Sequence, residues 1–487
     1  MSFHAYAQKE GFPIPMELAM HKDKKEVLRY LFTPRTIAVV GASNKDGKMG
    51  NLFVKHLLAG YSGEVLPVHP KAKHICGLQT YQDIRDVPAQ IDLLIPVIPA
   101  KQVLSLVDRC VKGQVKVLLA IPSGFGEVAD GGKDLEEKLL SLATERQMRV
   151  VGPNSLGMLN CPHRLNASMV PELPPGGPGF SCITQCGGFG MAIYMYTHDH
   201  QLEMAKFCDL GNTADVTAHE LLDYYRHDAE THIVGVYLES FVDRETFFAH
   251  ANALAVEKPV ILTKLGRTDA GGRASFAHLG LPPGDADFQE GARDSRIIPA
   301  QTGLEMLDIA KGLSWQPLPR GRKVGIVTGA GGVGVELTDL CLEHGLEVPE
   351  FSPQLQAALR PHLPAYASVR NPVDLTPIWQ EFPKLYPPLL QALFASDEVD
   401  ILLVTIIDVA TTLEPLMHAV TEVVTQAQIE GNPAKPIYIY WASPHGMRKH
   451  RQILQRARIP CYQSTLSTVR IAAAICHYAM QSVATRD

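Results

Sequence analysis

Residues 36–50 read TIAVVGASNKDGKMG, and this stretch decides the fold class of the chain. A short, continuously apolar run meets a glycine-rich turn, which is typical of a buried strand that leads into a helix. Further apolar runs follow at 64–68, 91–95, 115–119 and 148–151, and amphipathic stretches such as 100–111 and 132–147 separate them. Such strands alternating with helices predict a parallel sheet that is covered on both faces. We therefore predict an α/β fold.

The same organisation recurs twice more along the 487 residues, a length that suggests about three domains. Linker signals are the Pro/Gly-rich stretch PELPPGGPG, within a linker at 161–179, and QPLPRGR at 316–322. The predicted boundaries are an N-terminal extension at 1–30 and domains at 31–160, 180–318 and 319–487. Strands are expected near 180–184, 204–208, 233–238, 259–263, 323–327, 400–406, 436–440 and 459–462, and a last helix over 468–479.

Composition narrows the possible functions. The apolar fraction is 46% and the charged fraction 20%, and the net charge of −6 offers no basic surface for nucleic acid. No long apolar window predicts a membrane span, and the N-terminus does not resemble a signal peptide. The nine cysteines are scattered without a C-x-x-C pair, so we expect neither a metal site nor disulfides. Free thiols favour a cytoplasmic location.

The first glycine turn, which begins at Gly41, predicts a phosphate group at a helix N-terminus. Its spacing is not G-x-G-x-x-G, and no acidic residue follows the second strand to hold the ribose of NAD. Lys71 and Lys73 stand there instead, and they suit the extra ribose phosphate of coenzyme A or NADP. Two more turns, at 122–126 and 152–157, follow later strands, at the edge where open α/β sheets bind ligands.

Two further turns repeat a strand, a Gly-Gly pair and a helix start, at 184–190 and 328–334. Each provides unpaired backbone amides and the positive end of a helix. Two such ends facing one dianion would hold it without an arginine.

The stretch GRTDAGGRASFAHLG at 266–280 carries a histidine, His278, among four glycines. Its glycine content disfavours a helix and its irregular pattern disfavours a strand. We therefore expect a long mobile loop, and its glycines would let the histidine move.

These motifs together resemble the α subunit of the NDP-forming acyl-CoA synthetases, in the succinyl-CoA synthetase superfamily. The resemblance covers about residues 30–485, and its most specific parts are VVGAS, GPNSLG and GRT-x-AG…H-x-G. It implies a Rossmann-like CoA-binding domain followed by two flavodoxin-like, doubly wound domains. It also implies a separate ATP-grasp β subunit in an α2β2 assembly, with ATP or ADP and Mg²⁺ on that partner. The expected ligands of this chain are CoA, phosphate and a small carboxylic acid.

The resemblance assigns roles to individual positions. His278 matches the phosphorylated histidine, and Glu239 matches the glutamate that orients it. The matched phosphate-binding residues are Cys186, Gly187 and Gly188 in the second domain and Gly331 and Gly332 in the third. Ser43, Lys71 and Asn154 fall in the family's CoA-binding region, and Gly41, Ser123 and Gly124, from the first domain's glycine turns, complete the predicted CoA site.

Two departures from the family pattern stand out. Ala277 and Leu279 flank the histidine where the family commonly has hydroxyl residues, and Cys186 stands where it commonly has serine. A thiol is only a weak hydrogen-bond donor, so the rate or specificity of phosphoryl transfer is open. A regulatory relative that binds CoA without catalysis is therefore one alternative, and an NADP-dependent oxidoreductase is another. The presence of both His278 and Glu239 favours the ligase.

Overall fold

The computed structural model describes residues 26–279, 295–429, 435–443 and 447–483, with side chains omitted at 277–279 and 482–483. The described residues form two compact units. Unit 1 contains the described residues of Met1–His198, Glu203–Lys258 and Lys264–Asp294, and unit 2 contains those of Asp199–Leu202, Pro259–Thr263 and Ser295–Asp487. Both are built from helices and mainly parallel sheets, which confirms the predicted α/β class.

The first sheet of unit 1 has five parallel strands in the order β2-β1-β5-β6-β7. Its elements are α1 (Arg29–Phe32), β1 (Thr36–Val40), α2 (Met49–Leu58), β2 (Glu64–Val68), the small ladder β3 (His74–Ile75) and β4 (Leu78–Gln79), β5 (Ile91–Pro96), α3 (Ala100–Arg109), β6 (Val115–Leu119), α4 (Gly132–Glu145) and β7 (Arg149–Val151). Every residue of β5 is buried, as expected for a central strand with helices on both faces. The chain order reverses between β1 and β5, where open α/β sheets form their ligand crevice.

A second sheet in unit 1 contains the strands β12-β10-β11-β8-β9 in that order. Its elements are β8 (Gly157–Asn160), β9 (Leu165–Ser168), β10 (Gly176–Thr184), α5 (Gly187–His200), β11 (Met204–Asp209), α6 (Ala218–His227), β12 (Thr231–Leu238), α7 (Arg244–Ala255) and α8 (Asp269–Leu279). Strands β11 and β12 run parallel to β10, whereas β8 pairs antiparallel with β11 and β9 antiparallel with β8.

The linker expected at 161–179 is therefore partly strand, since β9 and the start of β10 lie within it. Strand β9 is buried at all four positions even though its sequence, LNAS, has no strong apolar signal. Hydrogen bonding to β8, rather than local propensity, creates it. The predicted domain boundaries remain a prediction.

The expected loop at 266–280 is instead largely helical, because α8 spans Asp269–Leu279. Thr268 starts this helix: its hydroxyl accepts a hydrogen bond from the Gly271 N–H at 3.0 Å, and its carbonyl accepts one from Gly272 at 2.7 Å. A threonine in this capping position stabilises the first turn, where both glycines lie. The prediction of a loop was wrong because it considered the glycine content and not the N-terminal cap that Thr268 provides.

Unit 2 contains a third sheet of five parallel strands in the order β16-β15-β17-β18-β19, and β13 pairs in parallel with β14. Its strands are β13 (Val260–Lys264), β14 (Ile298–Pro299), β15 (Val324–Thr328), β16 (Val373–Asp374), β17 (Ile401–Ile407), β18 (Ile437–Ala442) and β19 (Cys461–Tyr462). Its helices are α9 (Gly303–Trp315), α10 (Gly331–Glu343), α11 (Pro353–Leu359), α12 (Phe382–Ala395), α13 (Glu414–Ile429), α14 (Arg448–Arg456) and α15 (Thr465–Val483). Helix α15 confirms the predicted last helix. None of the helices within the described ranges has the length and apolar content that a membrane crossing requires.

Candidate functional site

A cleft of about 570 Å³ opens in unit 1, and it collects turns from both sheets. From the first sheet come the residues that follow the carboxyl ends of β5, β6 and β7, among them Ser123 and Asn154. From the second sheet come Gly187 and Gly188, which open α5. Four residues that the sequence assigned to separate CoA and phosphate sites therefore line one cleft.

The other predicted CoA residues lie on turns of the same sheet but do not line this cleft. Gly41 has a φ of 87°, and a Cβ there would come within 2.8 Å of the Val97 carbonyl oxygen, so only glycine lets the β1 turn approach β5 this closely. The Ser43 hydroxyl accepts a hydrogen bond from the Lys45 N–H at 3.0 Å. Lys71 follows β2, and its N–H donates to His69 Nδ1 at 3.2 Å.

The β7 turn is held in place by a network of side chains. Asn154 has a positive φ of 60°, and its N–H donates to the Pro122 carbonyl at 3.0 Å. The Asn212 side-chain amide donates to Glu127 at 2.7 Å and to Glu136 at 2.8 Å. Glu127 also accepts a hydrogen bond from the N–H of Gly124. These contacts join the turns after β6 and β7 to the segment that follows β11.

The Gly-Gly turn of α5 is shaped by the threonine at the end of β10. The Thr184 hydroxyl accepts a hydrogen bond from the Cys186 N–H at 2.9 Å, and the Cys186 carbonyl accepts one from Gly190 at 3.0 Å. A Cβ on Gly188 would meet nothing closer than Cys186 Sγ, at 3.9 Å. Packing does not require glycine at 188. The glycine is better explained by a ligand that comes close to the backbone at this position.

Cys186 is half-buried at this turn. Burial raises the pKa of its thiol above the usual value, and the nearby carboxylates of Glu239 and Asp209 raise it further. The group is therefore a neutral thiol at neutral pH and does not repel an anion in the turn.

Glu239, the predicted partner of the histidine, is only 4% exposed, directly after β12. Gln185 holds its backbone: Gln185 Oε1 accepts hydrogen bonds from the N–H groups of Glu239 at 2.8 Å and of Ser240 at 3.1 Å. The other end of that amide donates to the Thr213 hydroxyl at 3.0 Å. Lys264, 1% exposed, donates from Nζ to the Glu239 carbonyl at 2.8 Å.

Gln185 and Lys264 are functional candidates that the sequence reasoning missed. Gln185 lies inside the glycine turn at 184–190, TQCGGFG, but nothing in its spacing sets it apart. Lys264 could have been found from the sequence, because it ends an apolar run that predicts a buried strand. A lysine in such a place almost always has a polar partner. The backbone of His278 belongs to α8, but its side chain lies outside the described side chains, so its pairing with Glu239 remains a prediction.

Unit 2 repeats the turn geometry of α5 at the start of α10. The Thr328 hydroxyl accepts a hydrogen bond from the Ala330 N–H at 3.1 Å, as Thr184 does from Cys186. Gly331 lines a cavity of about 360 Å³ together with Asp374, the last residue of β16. A Cβ on Gly332 would meet no atom within 4 Å, so this glycine too is not required by packing.

Comparison with known proteins assigns a domain family to each part of the chain. Residues 35–160 match a CoA binding domain, residues 177–313 match a succinyl-CoA ligase like flavodoxin domain, and residues 324–485 match a Ligase-CoA domain. This succession confirms the predicted fold.

Individual relatives cover most of the chain. The α subunit of the ADP-forming acetate–CoA ligase II of Pyrococcus furiosus is 33% identical, over 90% of this chain and 94% of its own length. A trans-feruloyl-CoA synthase of an unknown prokaryotic organism is 27% identical, over 77% of this chain and 54% of its own length. Among solved structures, a dinucleotide forming acetyl-coenzyme A synthetase 1 of Ca. Korarchaeum cryptofilum, in complex with phosphate and ADP, has a TM-score of 0.84 and 31% identity, covering 94% of this chain and 98% of that one.

Proposed function

The chain belongs to the family of ADP-forming CoA ligase α subunits, and we propose that it interconverts acid, CoA and ATP with acyl-CoA, ADP and phosphate. It does so together with a β subunit that carries the nucleotide site. The observation that carries this proposal is the cleft in which Ser123 and Asn154 face the Gly187–Gly188 turn. A thioester held by the first pair and a phosphate held by the second would meet there.

The first step is an attack of phosphate on the thioester carbonyl. The carbon–sulfur bond breaks, CoA leaves as the thiol, and an acyl phosphate forms. The backbone amides at the start of α5 stabilise the phosphate charge, aided by the positive end of the helix. Because Cys186 stays protonated, it adds no negative charge beside the phosphate.

The second step moves the phosphoryl group to His278. A ring nitrogen of His278 attacks phosphorus, the phosphorus–oxygen bond to the acyl group breaks, and the carboxylate leaves. Glu239 bonds the other ring nitrogen and fixes the tautomer that attacks. The buried position of Glu239, with its backbone held by Gln185 and Lys264, suits a group that must orient another.

In the third step the phosphohistidine passes its phosphoryl group to ADP, giving ATP. We assign ADP and Mg²⁺ to an ATP-grasp β subunit, in an α2β2 complex. The printed name of the Pyrococcus furiosus relative, a subunit alpha, supports a partner chain. The start of α10 in unit 2 supplies a second anion-holding turn for this relay.

The proposal is tested by co-expressing the chain with an ATP-grasp subunit from its own genome and purifying the complex. ADP release from ATP should require both CoA and a carboxylic acid. A complex that binds CoA but releases no ADP with any acid would favour the regulatory, non-catalytic alternative.

A further inference from the structure

The turn that opens α10 has a glycine spacing that holding a phosphate alone does not require. Residues 329–334 read GAGGVG, which is the G-x-G-x-x-G pattern, and they join the end of β15 to α10. After a strand and before a helix, this pattern is typical of a turn that binds the phosphate of a nucleotide. We propose that the cavity at this turn binds an adenosine phosphate, a property of unit 2 that goes beyond the function proposed above.

The three glycines of the pattern have the contacts that a nucleotide-binding turn requires. A Cβ on Gly329 would lie 2.5 Å from the ring of Phe382, so a side chain there would collide with this ring. A Cβ on Gly334 would lie 3.0 Å from the side chain of Thr328, so this glycine lets α10 pack closely on the end of β15. Gly331, the middle glycine, lines the cavity, where a phosphate would approach the backbone.

Asp374 is the acidic residue that such a site places after its second strand. It ends β16, which pairs in parallel with β15 so that Asp374 stands opposite Thr328. Its carboxylate lies against the turn, since a Cβ on Gly331 would be 2.7 Å from Asp374 Oδ2. The usual chain distance from the glycines to this acid is about 20 residues. The distance is longer here, but the pairing of the two strands brings the carboxylate to the same place.

The cavity lies where open α/β sheets bind ligands. The chain order reverses between β15 and β17, and residues at the carboxyl ends of β15, β16 and β17 line the cavity. Its volume of about 360 Å³ is near the lower end of the usual range for small-ligand sites, about 300–1,000 Å³, which suits a single nucleotide. Trp379 and Ile407 also line it, and an aromatic ring is a surface on which a base can stack.

The polar lining of the cavity suits a ligand that donates hydrogen bonds. Asp374 and Asp408 both line it, and carboxylates accept hydrogen bonds without donating them. The ribose hydroxyls and the amino group of adenine are such donors. Thr376 lines the cavity as well, and its buried hydroxyl oxygen has no hydrogen-bond partner among the described residues. A buried polar group of this kind calls for a partner, and a ligand hydroxyl would supply one.

The experiment measures the affinity of the full chain, without a partner subunit, for AMP by titration calorimetry. The matched ligand is 2′,3′-dideoxy-AMP, which lacks both ribose hydroxyls. AMP should bind at least about tenfold more tightly than the dideoxy ligand, because only AMP can donate these hydroxyls to the Asp374 carboxylate. Absence of AMP binding, or equal affinities for the two ligands, would overturn the inference.

Competition separates the molecules that contain an adenosine phosphate. NAD keeps both hydroxyls of its adenosine ribose, so displacement of AMP by NAD would show that the site also accepts the larger molecule. Failure of NAD to displace AMP would show that it takes the free nucleotide. Coenzyme A carries an extra phosphate on that ribose and should not displace AMP. Displacement by CoA would place AMP in the CoA site of unit 1 and overturn the inference.

Variants of unit 2 locate the binding. In Asp374→Asn, the side-chain oxygen can still accept the Thr376 N–H, but an amide nitrogen replaces the oxygen at the turn. This variant should therefore lose the preference for AMP over the dideoxy ligand. A folded Asp374→Asn protein that keeps the full preference would overturn the assignment.

A second variant tests the phosphate contact. Gly332→Ala adds a methyl group that meets no atom within 4 Å, so the protein should fold and bind AMP at least about tenfold more weakly. Val335→Ala is the control, because Val335 is 62% exposed on the same helix, and it should bind AMP as the wild type does. Equal AMP affinity in both variants would contradict a phosphate at the turn. These titrations need no turnover, so they decide the inference even if assays with the β subunit refute the proposed function.

Discussion

The side-chain amide of Gln185 holds the backbone of Glu239, accepting its N–H at 2.8 Å while the other end of the amide donates to Thr213. One buried side chain thus ties the phosphate turn of α5, the segment after β11 and the end of β12 together. Gln185 is a positioning residue, because it acts on the proposed reaction only by placing Glu239.

Gln185→Met should therefore both destabilise the protein and slow the phosphorylation of His278. The substitution keeps the size of the side chain but leaves the buried N–H groups of Glu239 and Ser240 without their acceptor. We expect a loss of about 1–3 kcal/mol in the free energy of unfolding, measured with urea. The initial rate of His278 phosphorylation should fall, while CoA affinity should not. Thr213→Val is the control: it removes the bond from the Gln185 amide and a 3.3 Å bond to the Gly211 carbonyl but leaves the acceptor of Glu239 and Ser240 in place, so it should cost less than Gln185→Met.

Substitutions of the turn glycines should lower activity without lowering stability. Alanine at Gly188 or Gly332 meets no close contact and neither glycine has a positive φ, so each variant should fold with unchanged or slightly higher stability. If the turns hold phosphate, the added methyl group blocks its approach, and phosphate-dependent turnover should fall by at least about tenfold. Gly177→Ala, at the start of β10 and outside both turns, is the matched control. Full activity in both turn variants would contradict the assignment.

Cys186 should react slowly with alkylating reagents at neutral pH. Burial raises the pKa of its thiol, so the reactive thiolate should be scarce at pH 7 and increase about tenfold per pH unit until the pH passes that raised value. Labelling followed by peptide mass spectrometry across pH 7–10 measures this. Rapid labelling of Cys186 at pH 7 would show that the thiol ionises there. Cys186→Ser should speed phosphoryl transfer, because a hydroxyl is the stronger donor.

Arg149 should make stability depend on pH in the acid range. Its guanidinium bonds Asp215 at 2.9 Å and Glu220 at 3.0 Å, which joins β7 to the segment before α6 and to the first turn of α6. Burial alone would raise the pKa of Glu220, but the hydrogen bonds and charge of Arg149 outweigh it and hold that pKa below its usual value. The ionised form is thus favoured by folding, so its contribution is complete above about pH 4.3 and is lost as the pH falls through the lowered pKa.

Arg149→Met should consequently cost about 3–5 kcal/mol at pH 7, since it leaves two partly buried carboxylates unpaired. The difference from wild type should shrink as the pH falls through the lowered pKa of Glu220, because protonation of this carboxyl removes the ion pair that the substitution deletes. Urea unfolding at pH 7 and at pH 3.5 gives the two values. A difference that is the same at both pH values would contradict the role given to Glu220.

The sequence predicted the sheets well because their strands are long, apolar and followed by glycine turns, as at 36–50. It failed where tertiary contacts outweigh local propensity. Strand β9 depends on its partner β8, and α8 depends on the cap by Thr268, so neither is visible in composition. The site turns were predicted as separate features, and Gln185 and Lys264 were missed because their roles arise only when the folded chain brings them to the backbone of Glu239.

The most direct test of the central claim is the covalent state of His278. The full chain is incubated with acyl-CoA and phosphate, CoA binding is verified in the same sample, and the protein is analysed by intact and peptide mass spectrometry. We expect one acid-labile phosphoryl group on His278, formed much more slowly in Glu239→Gln. An unmodified His278 in a sample that binds CoA, or a phosphoryl group on another residue, would contradict the relay.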